Sequence, residues 1–279
     1  MASGSPDWDP EQSALFGEER SRPFFELLAR VRAADPIHLV DLGCGSGELT
    51  ATLADRWPAA HIEGVDSSPQ MIAAAERRAV PGLRFTVGDI ATWAPDQPLD
   101  VIVSNAALQW VPTHRELLPT WIEALNPGGW LAFQVPGNFA GPSHTVLREL
   151  CLSPRWRDLL GPLPLRTAAP GVVHGEPVSS PDEYLDLLAR HGCRSVDAWE
   201  TTYSQVMPGD DPVLEWVKGT ALRPVLAALD QADPAARAAF LEEYGALLRE
   251  AYPPRPYGTV FPFRRVFVVA QRNAPARGW

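Results

Sequence analysis

The sequence predicts an α/β fold: a doubly wound, mostly parallel seven-stranded sheet carrying a helical cap built from two insertions. Three observations carry that expectation. A glycine-rich strand–turn–helix junction lies at 37–57. Short apolar runs alternate with helix-period patterns from 37 to 135. Two stretches, 137–179 and 204–262, interrupt the alternation and are too long to be plain loops of a compact domain.

Ile37 to Val40 is apolar and leads into Asp41-Leu42-Gly43-Cys44-Gly45-Ser46-Gly47; Leu49, Leu53 and Trp57 then recur at helical spacing. Glycines permit positive φ and close approach of a ligand, and the helix start behind them offers unpaired N–H donors. A dinucleotide fingerprint would need glycine where this chain has Glu48, and a carboxylate there repels a pyrophosphate. Asp41, just before the glycines, suits a ligand with an ammonium or sulfonium group instead, with Gly43 and Gly45 as candidate backbone contacts. The pattern resembles the first motif of class I S-adenosylmethionine-dependent methyltransferases, a Rossmann-like fold family.

The second strand, His61 to Asp66, ends in an acid, and Ser68-Pro69 opens a helix with Ser68 as cap. An acid at that strand end lies where a ribose sits in doubly wound folds, so Asp66 and the adjoining Ser67 are candidate cofactor contacts. The third strand, Leu83 to Gly88, is followed by Asp89 and Ile90. In the family they resemble, these accept from the adenine amino group and pack on the ring. Strand four is Leu99 to Ser104. A helix follows from about Arg115 to Leu125, then Asn126-Pro127-Gly128-Gly129 and strand five, Trp130 to Val135. Ser180-Pro181-Asp182-Glu183 is a capping box whose helix ends at His191-Gly192. Strand six covers 195–203, and the last strand is Arg265 to Ala270.

At the N-terminus, Asp9-Pro10-Glu11 reads as a helix start and a second helix is expected from Arg20 to Arg32. The expected organisation is a lid of helices over 1–36, an α/β core of 37–136, 180–203 and 263–273, and a cap of 137–179 and 204–262. Both insertions follow strands of the parallel set and are expected to rise over the cofactor face.

Composition narrows the partners. The chain has 279 residues and a formal net charge of −10, which argues against nucleic-acid or anionic-membrane binding. No apolar run is long enough to span a bilayer, and Met1 to Ser5 opens no signal-peptide pattern, so a cytoplasmic location is expected. Cys44, Cys151 and Cys193 are far apart, and the six histidines show no ligand spacing; no structural metal is expected.

Strand four ends Ser104-Asn105-Ala106-Ala107-Leu108-Gln109-Trp110 without the paired prolines of methyltransferases that act on bases. It resembles the small-molecule branch, where Asn105 and Ala106 line the methionine arm. Trp110 is a candidate roof for the substrate pocket or a cation–π partner of a sulfonium. The insertions carry Pro142-Ser143-His144, Lys218 (the only lysine), Arg223, Tyr257 and Arg264, a polar and cationic set suited to an anion. On one uninterrupted helix Lys218 and Arg223 would not share a face, since five residues turn about 140°; Gly219 and Pro224 are candidate breaks.

The stretch Glu215-Trp216-Val217-Lys218-Gly219-Thr220-Ala221-Leu222-Arg223-Pro224 is similar to a segment of trans-aconitate 2-methyltransferases. Pro136-Gly137-Asn138, Pro142-Ser143-His144, Ala251-Tyr252-Pro253-Pro254, Phe261-Pro262-Phe263-Arg264-Arg265 and Glu19-Arg20-Ser21-Arg22-Pro23 resemble the same family. The resemblance implies methyl transfer from S-adenosylmethionine to one carboxylate of a small anionic acid, with trans-aconitate foremost. Lys218 and Arg223 are then the first choices for substrate contacts, followed by His144, Arg264 and Tyr257. Arg22 would bind the cofactor's or the substrate's carboxylate. No catalytic base is expected, because a carboxylic acid with pKa near 4 is ionised at pH 7. The other readings are a methyltransferase for a natural product or fatty acid, a non-catalytic S-adenosylmethionine-binding protein and, distantly, a nicotinamide oxidoreductase.

Overall fold

The structure is a computed structural model that describes residues 17–161 and 178–274. The helix start expected at Asp9 lies outside the described residues. Helix α1 spans Gly17–Leu28, ending earlier than the Arg32 expected. The chain then alternates: β1 (His38–Leu42), α2 (Glu48–Arg56), β2 (His61–Asp66), α3 (Pro69–Ala75), β3 (Leu83–Val87), β4 (Leu99–Asn105), α4 (His114–Ala124) and β5 (Leu125–Pro136). Helices α5 (Pro142–Leu152), α6 (Pro154–Leu160) and α7 (Pro181–Arg190) follow, then β6 (Cys193–Met207), α8 (Pro212–Lys218), α9 (Arg223–Ala232), α10 (Ala236–Ala251), β7 (Pro254–Arg255) and β8 (Gly258–Arg272).

The strand order is β3-β2-β1-β4-β5-β8-β6, with β7 paired to β8 outside that path. Ladders β3–β2, β2–β1, β1–β4 and β4–β5 are parallel, and β5–β8 is antiparallel. The sheet is thus doubly wound and mostly parallel, with an eighth, two-residue strand beyond the seven expected. Central strands read as continuous apolar runs because neighbours cover both faces: Val101, Ile102 and Val103, Leu131, Ala132 and Phe133, and Val266, Phe267 and Val268 are all without solvent exposure.

Local chemistry sets several element ends. The Ser68 hydroxyl accepts from Met71 N at 3.3 Å to cap α3, with Pro69 in its first turn. Ser180 and Glu183 close a capping box on α7, Glu183 Oε2 accepting from Ser180 N at 3.0 Å. The last two long strands depart most from expectation. β6 runs on to Met207 and β8 begins at Gly258, seven residues before the Arg265 start. Pro262 reads as a strand breaker, yet it sits exposed within β8 between buried Phe261 and Phe263, a placement that proline tolerates where its missing N–H faces away from the ladder.

Two compact units form. The first comprises Met1–Pro136, Val178–Glu200 and Arg265–Trp279; the second, Gly137–Pro177 and Thr201–Arg264. The second is helical, with α5 packed on α10 and α7's predecessor α6 on α9. It also carries β7 and parts of β6 and β8, so it has more strand content than a purely helical cap. Among the described residues, no helix is long and apolar enough to cross a membrane.

Candidate functional site

The carboxyl ends of β1, β2, β3 and β4 place Asp41, Asp66, Asp89 and Asn105 along one rim of the sheet. In an open α/β sheet this rim is the ligand-binding edge. The turn after β1 is pinned to β2 by Gly43 N and Cys44 N, which both donate to Val65 O at 2.7 and 3.1 Å.

The three glycines of that turn have different reasons for being glycine. All have positive φ, +85° at Gly43, +55° at Gly45 and +73° at Gly47. A Cβ on Gly43 would lie 2.2 Å from the Ala107 Cβ and 3.5 Å from Ile90 Cδ1. One on Gly47 would lie 2.7 Å from the Phe85 ring. These two positions are closed by packing. At Gly45 no protein atom comes within 4 Å of a Cβ position, so the turn presents bare backbone to open space.

Asp66 is half-buried and braces the turn. Its Oδ2 accepts from Gly45 N and its Oδ1 from Ser68 N, both at 2.9 Å. With the Ser67 amide also bonded to it, the carboxylate retains acceptor capacity for a further donor. Burial holds the Asp66 pKa above the usual carboxylate value despite those amides. Ser67 beside it is exposed. Asp89 is exposed, with Oδ1 accepting from Ala91 N at 2.9 Å, and Ile90 is buried against the glycine turn.

Asp41 is buried at 3% exposure. Its Oδ2 accepts from the Thr50 hydroxyl at 2.6 Å, whereas Oδ1 is buried without a hydrogen-bond partner. Burial pushes its pKa up to about 7, against the opposing Thr50 hydrogen bond and with a smaller push from Asp66. A buried orphan carboxylate oxygen is costly unless something donates to it. Asn105 and Ala106 are half-buried; Gln134 Nε2 donates to Asn105 Oδ1 at 2.8 Å, and Ala106 adopts φ +55°. Trp110 is half-buried at the end of a 3₁₀ turn, Leu108–Trp110. Arg22 is exposed on α1 and pairs with Glu26 at 2.7 Å.

Sequence reading brings Asp41, Gly43, Gly45, Asp66, Ile90 and Asn105 into this region but misses Thr50, Ala107 and Gln134. Thr50 and Ala107 carry no local signal. Gln134 had one: a lone amide in the apolar run Trp130 to Val135.

The second unit holds the other candidates. Lys218 ends α8 and forms an ion pair with Glu215 at 2.5 Å; Arg223 starts α9. Between them Thr220 N and Leu222 N both donate to Val217 O at 3.0 Å, so the chain turns and the continuous-helix geometry does not apply. His144 is buried on α5, its Nδ1 3.2 Å from Ser143 Oγ and its ring edge-on to Phe139; burial lowers its pKa to about 4. Arg264 donates to Gly137 O at 2.9 Å, and Tyr257 is exposed, its hydroxyl accepting from Arg255 at 2.9 Å. A cavity of about 420 Å³ in this unit is lined in part by Val213, Leu214, Arg249 and Tyr252, but by none of these five residues. Arg249 there is already paired with both Asp211 oxygens, at 2.8 and 2.7 Å. Among the described residues, no three His, Cys, Asp or Glu side chains gather as a metal site.

A family model described as a methyltransferase domain matches residues 39–129, the stretch that forms this rim. A trans-aconitate 2-methyltransferase of Streptomyces coelicolor is 52% identical, over 98% of this chain and 89% of its own. One from Rhodococcus jostii is 52% identical over 95% of this chain and 99% of its own. The chain belongs to the trans-aconitate 2-methyltransferase family. Among solved structures, Haemonchus contortus phosphoethanolamine N-methyltransferase 2, bound to phosphomonomethylethanolamine and S-adenosylhomocysteine, aligns with TM-score 0.54 at 15% identity. That alignment covers 90% of this chain and about half of the other (52%), and it speaks for the fold alone.

A member of this family is a methyltransferase whose cofactor is S-adenosylmethionine. The rim fits such a group on three counts: bare backbone facing open space at Gly45, spare acceptor capacity on half-buried Asp66, and a buried Asp41 oxygen awaiting a donor.

Proposed function

We propose that this protein methylates one carboxylate of trans-aconitate, forming a monomethyl ester. The observation that carries this reading is near-half identity to trans-aconitate 2-methyltransferases over 95–98% of the chain, both units included. When bound, S-adenosylmethionine supplies an electrophilic methyl group. Asp66, Ser67, Asp89 and Ile90 would hold its nucleoside end. Asp41, Gly43, Gly45, Asn105, Ala106 and Arg22 would hold its amino-acid end.

The acid's carboxylates are ionised at pH 7, so the chain need not remove a proton from the nucleophile. Its work is to orient that oxygen and exclude water; orientation contributes up to roughly 7–11 kcal/mol in favourable cases. The protein's net charge of −10 opposes a polyanion, so local donors must outweigh it, each charge-assisted hydrogen bond contributing about 1.5–3 kcal/mol. Lys218 and Arg223 lead the proposed acid-binding set, joined by His144, Arg264 and Tyr257. His144, neutral at pH 7, would act as a hydrogen-bonding partner and not as a cation. The three cysteines are unpaired and buried, which supports a reducing compartment, the cytoplasm.

The test measures methyl transfer to trans-aconitate by wild type, Lys218→Met and Asp66→Ala. The expected outcome is turnover by wild type, a raised KM for the acid in Lys218→Met and weaker S-adenosylhomocysteine binding in Asp66→Ala. Absence of turnover with trans-aconitate, at confirmed cofactor binding, would refute the substrate.

A further inference from the structure

The end of β4 is held by an amide relay with a defined direction. Asn105 pairs with Gln134 across the parallel β4–β5 ladder, and Gln134 in turn lies beside β8, where Arg265 is two residues from its register partner Phe267. Gln134 is 1% exposed and Arg265 is 6% exposed. Arg265 Nη1 donates to Gln134 Oε1 at 3.3 Å, and Gln134 Nε2 donates to Asn105 Oδ1 at 2.8 Å. The Gln134 main chain joins in, its carbonyl accepting from Ala106 N at 2.9 Å.

The shape of an amide does not distinguish its oxygen from its nitrogen. A guanidinium removes the ambiguity, because it has donors and no acceptor. The Gln134 atom facing Arg265 must be oxygen, so its nitrogen faces Asn105, so Asn105 answers with oxygen. The Asn105 Nδ2 is the group left over, on a half-buried residue at the cofactor rim. Beside it, Ala106 holds φ +55°, an unfavourable conformation for a residue with a Cβ and one that clusters at ligand sites.

We propose that Gln134 and Arg265 are positioning residues that fix the polarity of the Asn105 amide, leaving Nδ2 to donate to a carboxylate oxygen of a bound ligand. The proposal rests on the methyltransferase reading above. Two carboxylates share the required chemistry: that of the cofactor's amino-acid arm and one on the acid substrate.

The experiment measures S-adenosylhomocysteine binding by calorimetry, and KM for trans-aconitate at saturating cofactor, in wild type, Gln134→Glu and Gln134→Met. Both variants are repeated in an Asn105→Ala background. Gln134→Glu has acceptors on both sides: it still pairs with Arg265, but it forces Asn105 to turn Nδ2 toward it and show oxygen to the ligand. Gln134→Met leaves Asn105 able to take either orientation. The expected loss is at least about tenfold in one or both quantities for Gln134→Glu, within about threefold for Gln134→Met, and no difference between the two once Asn105 is alanine. A purely structural role gives the opposite order, since methionine removes the Gln134 acceptor of buried Arg265 and glutamate keeps one. A shift in S-adenosylhomocysteine affinity names the cofactor carboxylate; a shift confined to KM names the acid.

Equal effects of the two variants, or a change under about twofold for Gln134→Glu, would overturn the proposal. Should Gln134→Glu fail to fold, Asn105→Asp decides, because it presents oxygen without disturbing the relay; affinities kept within about twofold would overturn it. A folded wild type that binds no S-adenosylhomocysteine would overturn the methyltransferase reading itself.

Discussion

Alanine at Gly47 and at Gly45 should damage this protein in separable ways. Both positions have positive φ, which costs an L-residue about 1–2 kcal/mol. At Gly47 the new methyl would also meet the Phe85 ring at 2.7 Å and the Ala75 Cβ at 2.8 Å. The Ala75 methyl cannot rotate aside, so β3 or α3 must shift; overpacking of this kind costs about 1–3 kcal/mol. The sum for Gly47→Ala is about 2–5 kcal/mol, which at 2–4 °C per kcal/mol lowers Tm by roughly 4–20 °C. At Gly45 no atom lies within 4 Å of the new methyl, so only the backbone term applies and Tm falls by a few degrees. The Gly45 methyl instead enters the space assigned to the cofactor, and S-adenosylhomocysteine affinity should fall at least about tenfold, a loss of about 1.4 kcal/mol. Thermal melts without ligand and calorimetric titration on the same samples check both limbs. Equal Tm losses at the two sites, or full affinity in Gly45→Ala, would refute the assignment of packing to one glycine and ligand approach to the other.

Asp41→Asn should stabilise the free protein in a pH-dependent way. A carboxyl whose pKa is about 7 when folded and 3.8 when exposed holds its proton more tightly in the folded state. Its destabilising effect is absent below about pH 4, grows from pH 4 to 7 and is complete above that, reaching up to about 4 kcal/mol. The variant's Tm advantage should therefore be small at pH 4 and largest at pH 8, while its affinity for S-adenosylhomocysteine falls; an advantage that shrinks as pH rises would contradict the burial argument. The His144 ring should titrate near pH 4 by NMR, contributing no limb to the activity profile between pH 5 and 8; a midpoint near 6.5 would show that the ring is solvated. Ser68→Ala should cost about 1 kcal/mol in stability through loss of the α3 cap, and a wild-type melting temperature would show the cap to be dispensable.

Much of the fold was legible because its signals are local. Apolar runs, the capping serines and the acids at strand ends lie within a few residues of what they control, and so the rim residues Asp41, Asp66 and Asn105 could be named in advance. The early start of β8 was not legible, because Pro262 breaks a strand by its own chemistry and is tolerated here in an exposed setting. The Lys218–Arg223 geometry needed the turn at Gly219 to Leu222, which a helical wheel cannot show.

The amino-acid order alone determined the sheet's parallel half, the glycine turn and the acids on its rim, since each depends on periodicity and neighbouring residues. Tertiary structure alone decided that Thr50 donates to Asp41, that Ala107 closes over Gly43 and that Arg265 donates to Gln134. Those pairings join positions 9, 64 and 131 residues apart in the chain. The last two exist because the strand order sets β1 beside β4 and β5 beside β8, and neighbours chosen by sheet order leave no mark in a local pattern.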